Sequence, residues 1–81
     1  MTIRVLLVDD HTMFREALRA MLAHAPGMQV VGEASDGAQV EALVDTLQPD
    51  VVVMDVSMPG LNGIDTTRRL HARLPRLRVV A

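Results

Sequence analysis

The sequence predicts an α/β domain in which helices cover a parallel β-sheet, and three observations carry that prediction. Two apolar runs, Ile3 to Val8 and Val51 to Met54, lack the alternation of a half-solvated strand and stop abruptly at aspartates. That is the pattern of strands buried on both faces. Stripes of apolar residues at helical spacing lie between the strand-like runs, and the connections are short. Hydrophobic residues make up 49% of the chain and aromatics only 1%, so the core must be built from Val, Leu, Ile, Ala and Met around the single Phe14.

The elements follow in order. Ile3 to Val8, interrupted only by Arg4, reads as a first strand ending in Asp9-Asp10. Met13, Phe14, Ala17, Leu18, Met21 and Leu22 form the two-wide stripe of an amphipathic helix over 13–24, with Thr12 as its N-cap, and Ala25-Pro26-Gly27 stops it. Met28 to Ala34, centred on Val30-Val31, reads as a shorter strand nearer the sheet edge. Ser35-Asp36-Gly37 turns the chain and caps the next element. Val40, Leu43, Val44 and Leu47 mark a second helix that ends before Pro49, because the residue preceding a proline is pushed out of the α region. Val51 to Asp55 forms the central strand. After a Pro59-Gly60 turn, Ile64, Thr67, Leu70 and Leu74 outline a third helix over 63–74, stopped by Pro75, and Arg78-Val79-Val80-Ala81 opens a fourth strand. The order βαβαβαβ implies right-handed crossovers and a parallel sheet.

With 81 residues the chain makes one domain at most, and a chain of this size buries about 60–65% of its unfolded surface, so stability is expected to be marginal. The absence of cysteine excludes disulfides, thiolate metal sites and a cysteine nucleophile. No basic leader or apolar span is visible, so a cytoplasmic protein without membrane insertion is expected. All ten acidic residues lie at or before Asp65, and five of the eight arginines (Arg68, Arg69, Arg73, Arg76 and Arg78) lie after it. A basic end of this kind suits nucleic acid or an acidic partner. Without interleaved aromatics, and with three of the arginines at helical spacing, it reads instead as a solvated helix face.

The chemistry collects around Asp55. In open α/β sheets ligands gather at the carboxyl ends of the strands, and Asp55 arrives there at the end of a rigid, buried strand. It reads either as a nucleophile or metal ligand, or simply as the residue that opens a turn. If the first and third strands are neighbours, Asp9, Asp10 and Asp55 converge on one edge. Three carboxylates in one cleft repel each other unless a cation neutralises them or some take up protons. An all-oxygen donor set favours a hard ion such as Mg2+ over zinc.

These residues resemble the receiver domain of two-component response regulators, particularly the NarL/FixJ type that joins a receiver to a LuxR-type helix-turn-helix. The resemblance runs through Val8-Asp9-Asp10-His11, Val31-Gly32-Glu33-Ala34-Ser35-Asp36-Gly37, Pro49-Asp50-Val51, Met54-Asp55, Met58-Pro59-Gly60 and Asn62-Gly63, and it spans the whole chain. It implies a flavodoxin-like (CheY-like) doubly wound sheet of order 2-1-3-4-5, truncated after the start of the fourth strand, with residues 1–81 forming a partial receiver domain and no output domain. It also implies that Asp55 accepts a phosphoryl group from a sensor histidine kinase. Mg2+ would be held directly by Asp10, largely through water by Asp9, by a carboxylate oxygen of Asp55 and by the backbone carbonyl of Ser57. Met58, Pro59, Gly60 and Gly63 would shape the loop beside the site, and DNA would be engaged only through an output domain absent from this chain. His11 reads as a hydrogen-bonding loop residue.

The family's Ser or Thr after the fourth strand and Lys after the fifth have no counterpart here, so a low phosphoacceptor activity is expected. The uncovered fourth strand, with Val79, Val80 and the outward faces of Ile3 to Val8 meeting water, suggests a homo-oligomer if these 81 residues are the whole polypeptide, and cover by the remainder of the chain if they are part of a longer one. A phosphorylation-independent dimerisation or interaction module is the alternative. A haloacid-dehalogenase-like phosphatase is a remote one, because neither Asp9-Asp10-His11-Thr12 nor Asp55-Val56-Ser57-Met58 supplies its Asp-x-Asp-x-Thr signature. A Rossmann dinucleotide domain is disfavoured by the lack of glycine after the first strand.

Overall fold

The computed structural model describes residues 2–54 and 63–80. Asp55, Ser57, Met58, Pro59 and Gly60 therefore lie outside the described residues, as does the expected Pro59-Gly60 turn. The elements are β1 (Ile3–Val8), α1 (Thr12–Ala23), β2 (Met28–Ala34), a single 3-10 turn (Gly37–Gln39), α2 (Val40–Leu47), β3 (Val51–Met54), α3 (Gly63–Arg73) and β4 (Arg78–Val80). The four strands form one parallel sheet of order β2-β1-β3-β4. This is the doubly wound, CheY-like architecture expected from the sequence, with β1 in the interior between β2 and β3.

Parity along the strands assigns side chains to the two faces. Leu6, Val8, Val52 and Met54 point to one face and join Val40 and Val44 of α2, Leu70 of α3, and Ala34 and Leu77 in one core, with Leu43, Leu47 and Val79 packed around it. Val5 and Leu7 point to the other face, the side on which α1 lies against β2. Helix α1 carries the expected apolar stripe but contains no buried residue. Its Met13, Phe14 and Met21 are 84%, 55% and 70% exposed.

The structure corrects the expected sequence reading at several points. Thr12 is the first helical residue of α1, and the flanking His11 makes no side-chain capping bond. The His11 ring is turned instead toward Asp9 and Asp10. Helix α3 stops at Arg73, one residue before Leu74, although the Leu74 amide still donates to the Leu70 carbonyl. The expectation that the outward faces of β1 meet water fails for most of the strand, since Val5 to Val8 are at most 1% exposed; Ile3 is 42% and Val80 51% exposed. Flanking strands on both sides, with α1 above one face, cover the middle of β1 more fully than a count of helices suggests.

Other expectations match residue for residue. Asp36 caps the 3-10 turn by accepting the Ala38 amide. Helix α2 ends at Leu47, and Gln48 takes the left-handed conformation (φ 49°, ψ 58°) immediately before Pro49. The β1–β2 ladder shifts register between Val5 and Leu6, so that Leu6 pairs with Gly32. A Cβ at Gly32 would sit 2.5 Å from Leu47 Cδ1, so this glycine leaves room for the Leu47 methyl group against the sheet.

Candidate functional site

The site grows out of the carboxyl end of β1. Register pairs Val8 with Ala34 on one side and with Met54 on the other, so β1 and β3 end at the same edge of the sheet. The Asp9 amide continues the ladder by donating to the Ala34 carbonyl at 3.0 Å. This holds Asp9 in place with only 5% of it exposed. Asp10 begins the turn into α1.

A buried carboxylate needs partners, and Asp9 finds them two residues along. The His11 amide donates to Asp9 Oδ1 at 2.7 Å, and His11 Nδ1 lies 2.9 Å from the same oxygen. Asp10 Oδ1 lies 3.0 Å from that same ring nitrogen. One imidazole thus bridges two carboxylates, and the ligating atoms of Asp9, Asp10 and His11 all fall within 4.8 Å of one another. Sequence reasoning offered a cation or protonation as the remedies for clustered acids. A neighbouring imidazole and backbone amide are a third, and both are used here.

Two further residues support the cluster that the sequence reading passed over. Arg15 on α1 donates from Nη1 to the Asp9 carbonyl at 2.5 Å and from Nε to Glu33 Oε1 at 3.3 Å. Arg19, one turn on, reaches Glu33 Oε2 at 3.2 Å. Beside the cluster, between α1 and the sheet, lies a groove of about 700 Å³ lined mainly by apolar side chains, among them Leu7, Val53, Phe14 and Leu18.

Chemically, the arrangement offers carboxylate oxygens on a rigid strand end, one nearly buried and one open to solvent. That donor set fits a hard, oxygen-seeking cation that keeps part of its water shell. Asp9 and Asp10 are brought together as expected. Asp55, the third carboxylate, follows Met54 in the chain and lies outside the described residues, as does Ser57.

A strand-end acid pair on a sheet of order β2-β1-β3-β4 defines the class of doubly wound α/β proteins whose ligands meet the carboxyl edge of the sheet. Residues 5–81 match the model of the response regulator receiver domain, and the chain belongs to that family. It is 48% identical over 79 residues to the response regulator GacA of Pseudomonas viridiflava, covering 98% of this chain and 37% of that protein. It is 41% identical over 76 residues to the nitrate/nitrite response regulator NarL of Escherichia coli, covering 94% and 35%. Among solved structures, a LuxR-family two-component response regulator from an Aurantimonas species superposes with a TM-score of 0.89 at 39% identity, covering 98% of this chain and 56% of that one. The isolated receiver of RcsB from Salmonella enterica, solved with the phosphomimetic BeF3-, gives a TM-score of 0.89 at 27% identity, covering 98% and 59%. The chain spans just over a third of the length of the curated relatives it matches.

Proposed function

We propose that this receiver accepts a phosphoryl group on Asp55 from the phosphohistidine of a sensor histidine kinase and that, joined to a DNA-binding output domain in a full-length parent, it regulates transcription in the cytoplasm. The observation that carries this reading is the parallel pairing of Val8 with Met54, since Asp9 and Asp10 follow the first and Asp55 the second. The relatives support it by name, as response regulators and transcriptional regulators. Among the described residues no helix is long and apolar enough to cross a membrane.

On this reading Mg2+ is held by Asp10 directly, by Asp9 largely through water, and by Asp55 and the Ser57 carbonyl, while Met58, Pro59, Gly60 and Gly63 shape the adjoining loop. When bound, the metal supplies charge neutralisation, which with positioning accounts for most of the rate of phosphoryl transfer. The chain's own part is to hold the acids at fixed positions, with the Asp9 carboxylate accepting the His11 amide. It is a signalling phosphoacceptor rather than an enzyme acting on a separate substrate. Incubation with acetyl phosphate followed by mass spectrometry tests the assignment: a mass increase that maps to Asp55 and disappears in Asp55→Asn is expected, and labelling at another residue contradicts it.

Self-association is proposed on a separate observation. Among the described strands β4 is paired on one side only, and Val80 there is 51% exposed. An open edge of this kind recruits cover: a second copy where these 81 residues are the whole polypeptide, and the rest of the chain where they are part of a longer parent. Intact mass separates the two cases; for the 81-residue chain by itself, sedimentation at micromolar concentration is expected to show a dimer or larger species, and a stable, cooperatively folding 8.8 kDa monomer contradicts it.

A further inference from the structure

We propose that Arg15 is a positioning residue for the acidic pair, setting the orientation of Asp10 through the carbonyl of Asp9; the inference rests on the reading of Asp9 and Asp10 as the cation-binding acids. The Asp9 carbonyl belongs to the planar peptide unit that leads to the Asp10 nitrogen and Cα. A donor that fixes the carbonyl oxygen therefore fixes the rotation of that plane and with it the direction in which Asp10 leaves the strand. Arg15 Nη1 is that donor, at 2.5 Å.

The guanidinium is itself held. Its side chain is 15% exposed, and its Nε donates to Glu33 Oε1 at 3.3 Å, while the other oxygen of Glu33 is engaged by Arg19 at 3.2 Å. Glu33 pairs with Leu7 in the β1–β2 ladder, so the anchor stands on the sheet two residues before the site. The Asp9 to His11 segment is thus fixed at three points. The Asp9 amide is held by Ala34, its carboxylate by His11, and its carbonyl by Arg15. Only the third depends on a side chain from outside the strand end. A lysine cannot replace it, because the two bonds leave different nitrogens of one rigid planar fork.

Charge and positioning predict opposite outcomes, which makes the proposal decidable. If Arg15 acted only as a positive charge near the acids, Arg15→Ala would tighten cation binding and Arg15→Lys would leave it unchanged. If it acts by positioning, both substitutions weaken binding, by about tenfold as is typical for residues that orient metal ligands. Glu33→Gln removes a negative charge as well as the anchor and so weakens binding on either reading; its discriminating readout is the order of the Asp9 to His11 segment in the metal-free protein.

The test is a Mg2+ titration of the chain and the three variants, followed by the amide resonances of Asp10 and His11. Hydrogen exchange of the His11 amide in the metal-free proteins gives a second readout. Weaker Mg2+ binding and faster His11 exchange in Arg15→Lys and Glu33→Gln, with an unchanged melting temperature, are expected. Unchanged binding and exchange in Arg15→Lys, or tighter binding in Arg15→Ala, overturns the proposal. Should the native chain bind no Mg2+, the metal reading fails, and the exchange measurement alone decides whether Arg15 orders this segment. If the Arg15 variants do not fold, His11 exchange in metal-free Glu33→Gln decides the question: faster exchange supports the proposal and unchanged exchange overturns it.

Discussion

Gln48 closes α2 in the left-handed conformation, with φ at 49°, and its amide donates to the Val44 carbonyl at 2.9 Å. A residue with a Cβ pays about 1–2 kcal/mol for that conformation, part of which glycine returns as greater freedom in the unfolded chain. Gln48→Gly is therefore expected to stabilise the fold by about 0.5–1 kcal/mol, read as a raised midpoint in urea. At the site, Asp10→Asn removes a charged donor that is 31% exposed at the side chain and is expected to abolish the stabilisation conferred by Mg2+. That stabilisation is about 1.4 kcal/mol at a metal concentration ten times Kd, and thermal unfolding with and without Mg2+ reports it. An equal response in both proteins rules out this acid pair as the metal site. The acids were legible in the sequence because an apolar run stops at them. Arg15 was not, because an arginine on a helix reads as solvated and its partner Glu33 lies 18 residues away on another strand.

Between elements, α3 is tied to α2 by a ladder of ion pairs. Arg69 Nε meets Glu41 Oε1 at 2.6 Å, Arg73 Nη1 meets Glu41 Oε2 at 2.8 Å, and Arg73 Nη2 meets Asp45 Oδ1 at 2.7 Å. The helical spacing of these arginines was readable, but the face was taken as merely solvated. Acids four residues apart on α2 accept it, a match that only the packing of α2 beside α3 reveals. The hydrogen bond from Arg69 holds the Glu41 carboxyl below its ordinary pKa against the opposing effect of desolvation, with Arg73 adding to the lowering. Bonds to Asp45 and then Glu41 raise that of Arg73, which stays charged throughout the accessible range. A lowered carboxyl stabilises the fold above its unfolded value of about 4.3 and loses that contribution as pH falls through the lower folded value. Arg73→Met is accordingly expected to reduce the melting temperature at neutral pH and low salt, with the difference from the native chain shrinking in about 1 M salt and in acid. A difference independent of both conditions indicates that Arg73 acts by packing alone. Beneath the ladder, Leu70 is fully buried, and Leu70→Ala is expected to cost about 2–5 kcal/mol. That is a large share of the roughly 4–12 kcal/mol typical of a chain this long.

The whole molecule is a sheet whose order places β1 between β2 and β3. Alternation of strand and helix and the two unbroken apolar runs made the class readable, and Pro49 and Asp36 marked boundaries that the structure keeps. The exposure of the β1 faces was misjudged, because coverage depends on neighbouring strands as much as on helices, and hydropathy along one strand carries no record of its neighbours. The adjacency of β1 and β3 underlies the central proposal, that the neighbouring Asp9 and Asp10 and the distant Asp55 serve one phosphoacceptor site. Fluorine NMR of the chain with beryllofluoride tests it most directly, comparing the native protein with Asp55→Asn and Asp10→Asn. The account predicts a bound fluorine resonance that requires Mg2+, is absent in Asp55→Asn and is strongly weakened in Asp10→Asn. A bound resonance of equal intensity in all three proteins, or one indifferent to Mg2+, would contradict it.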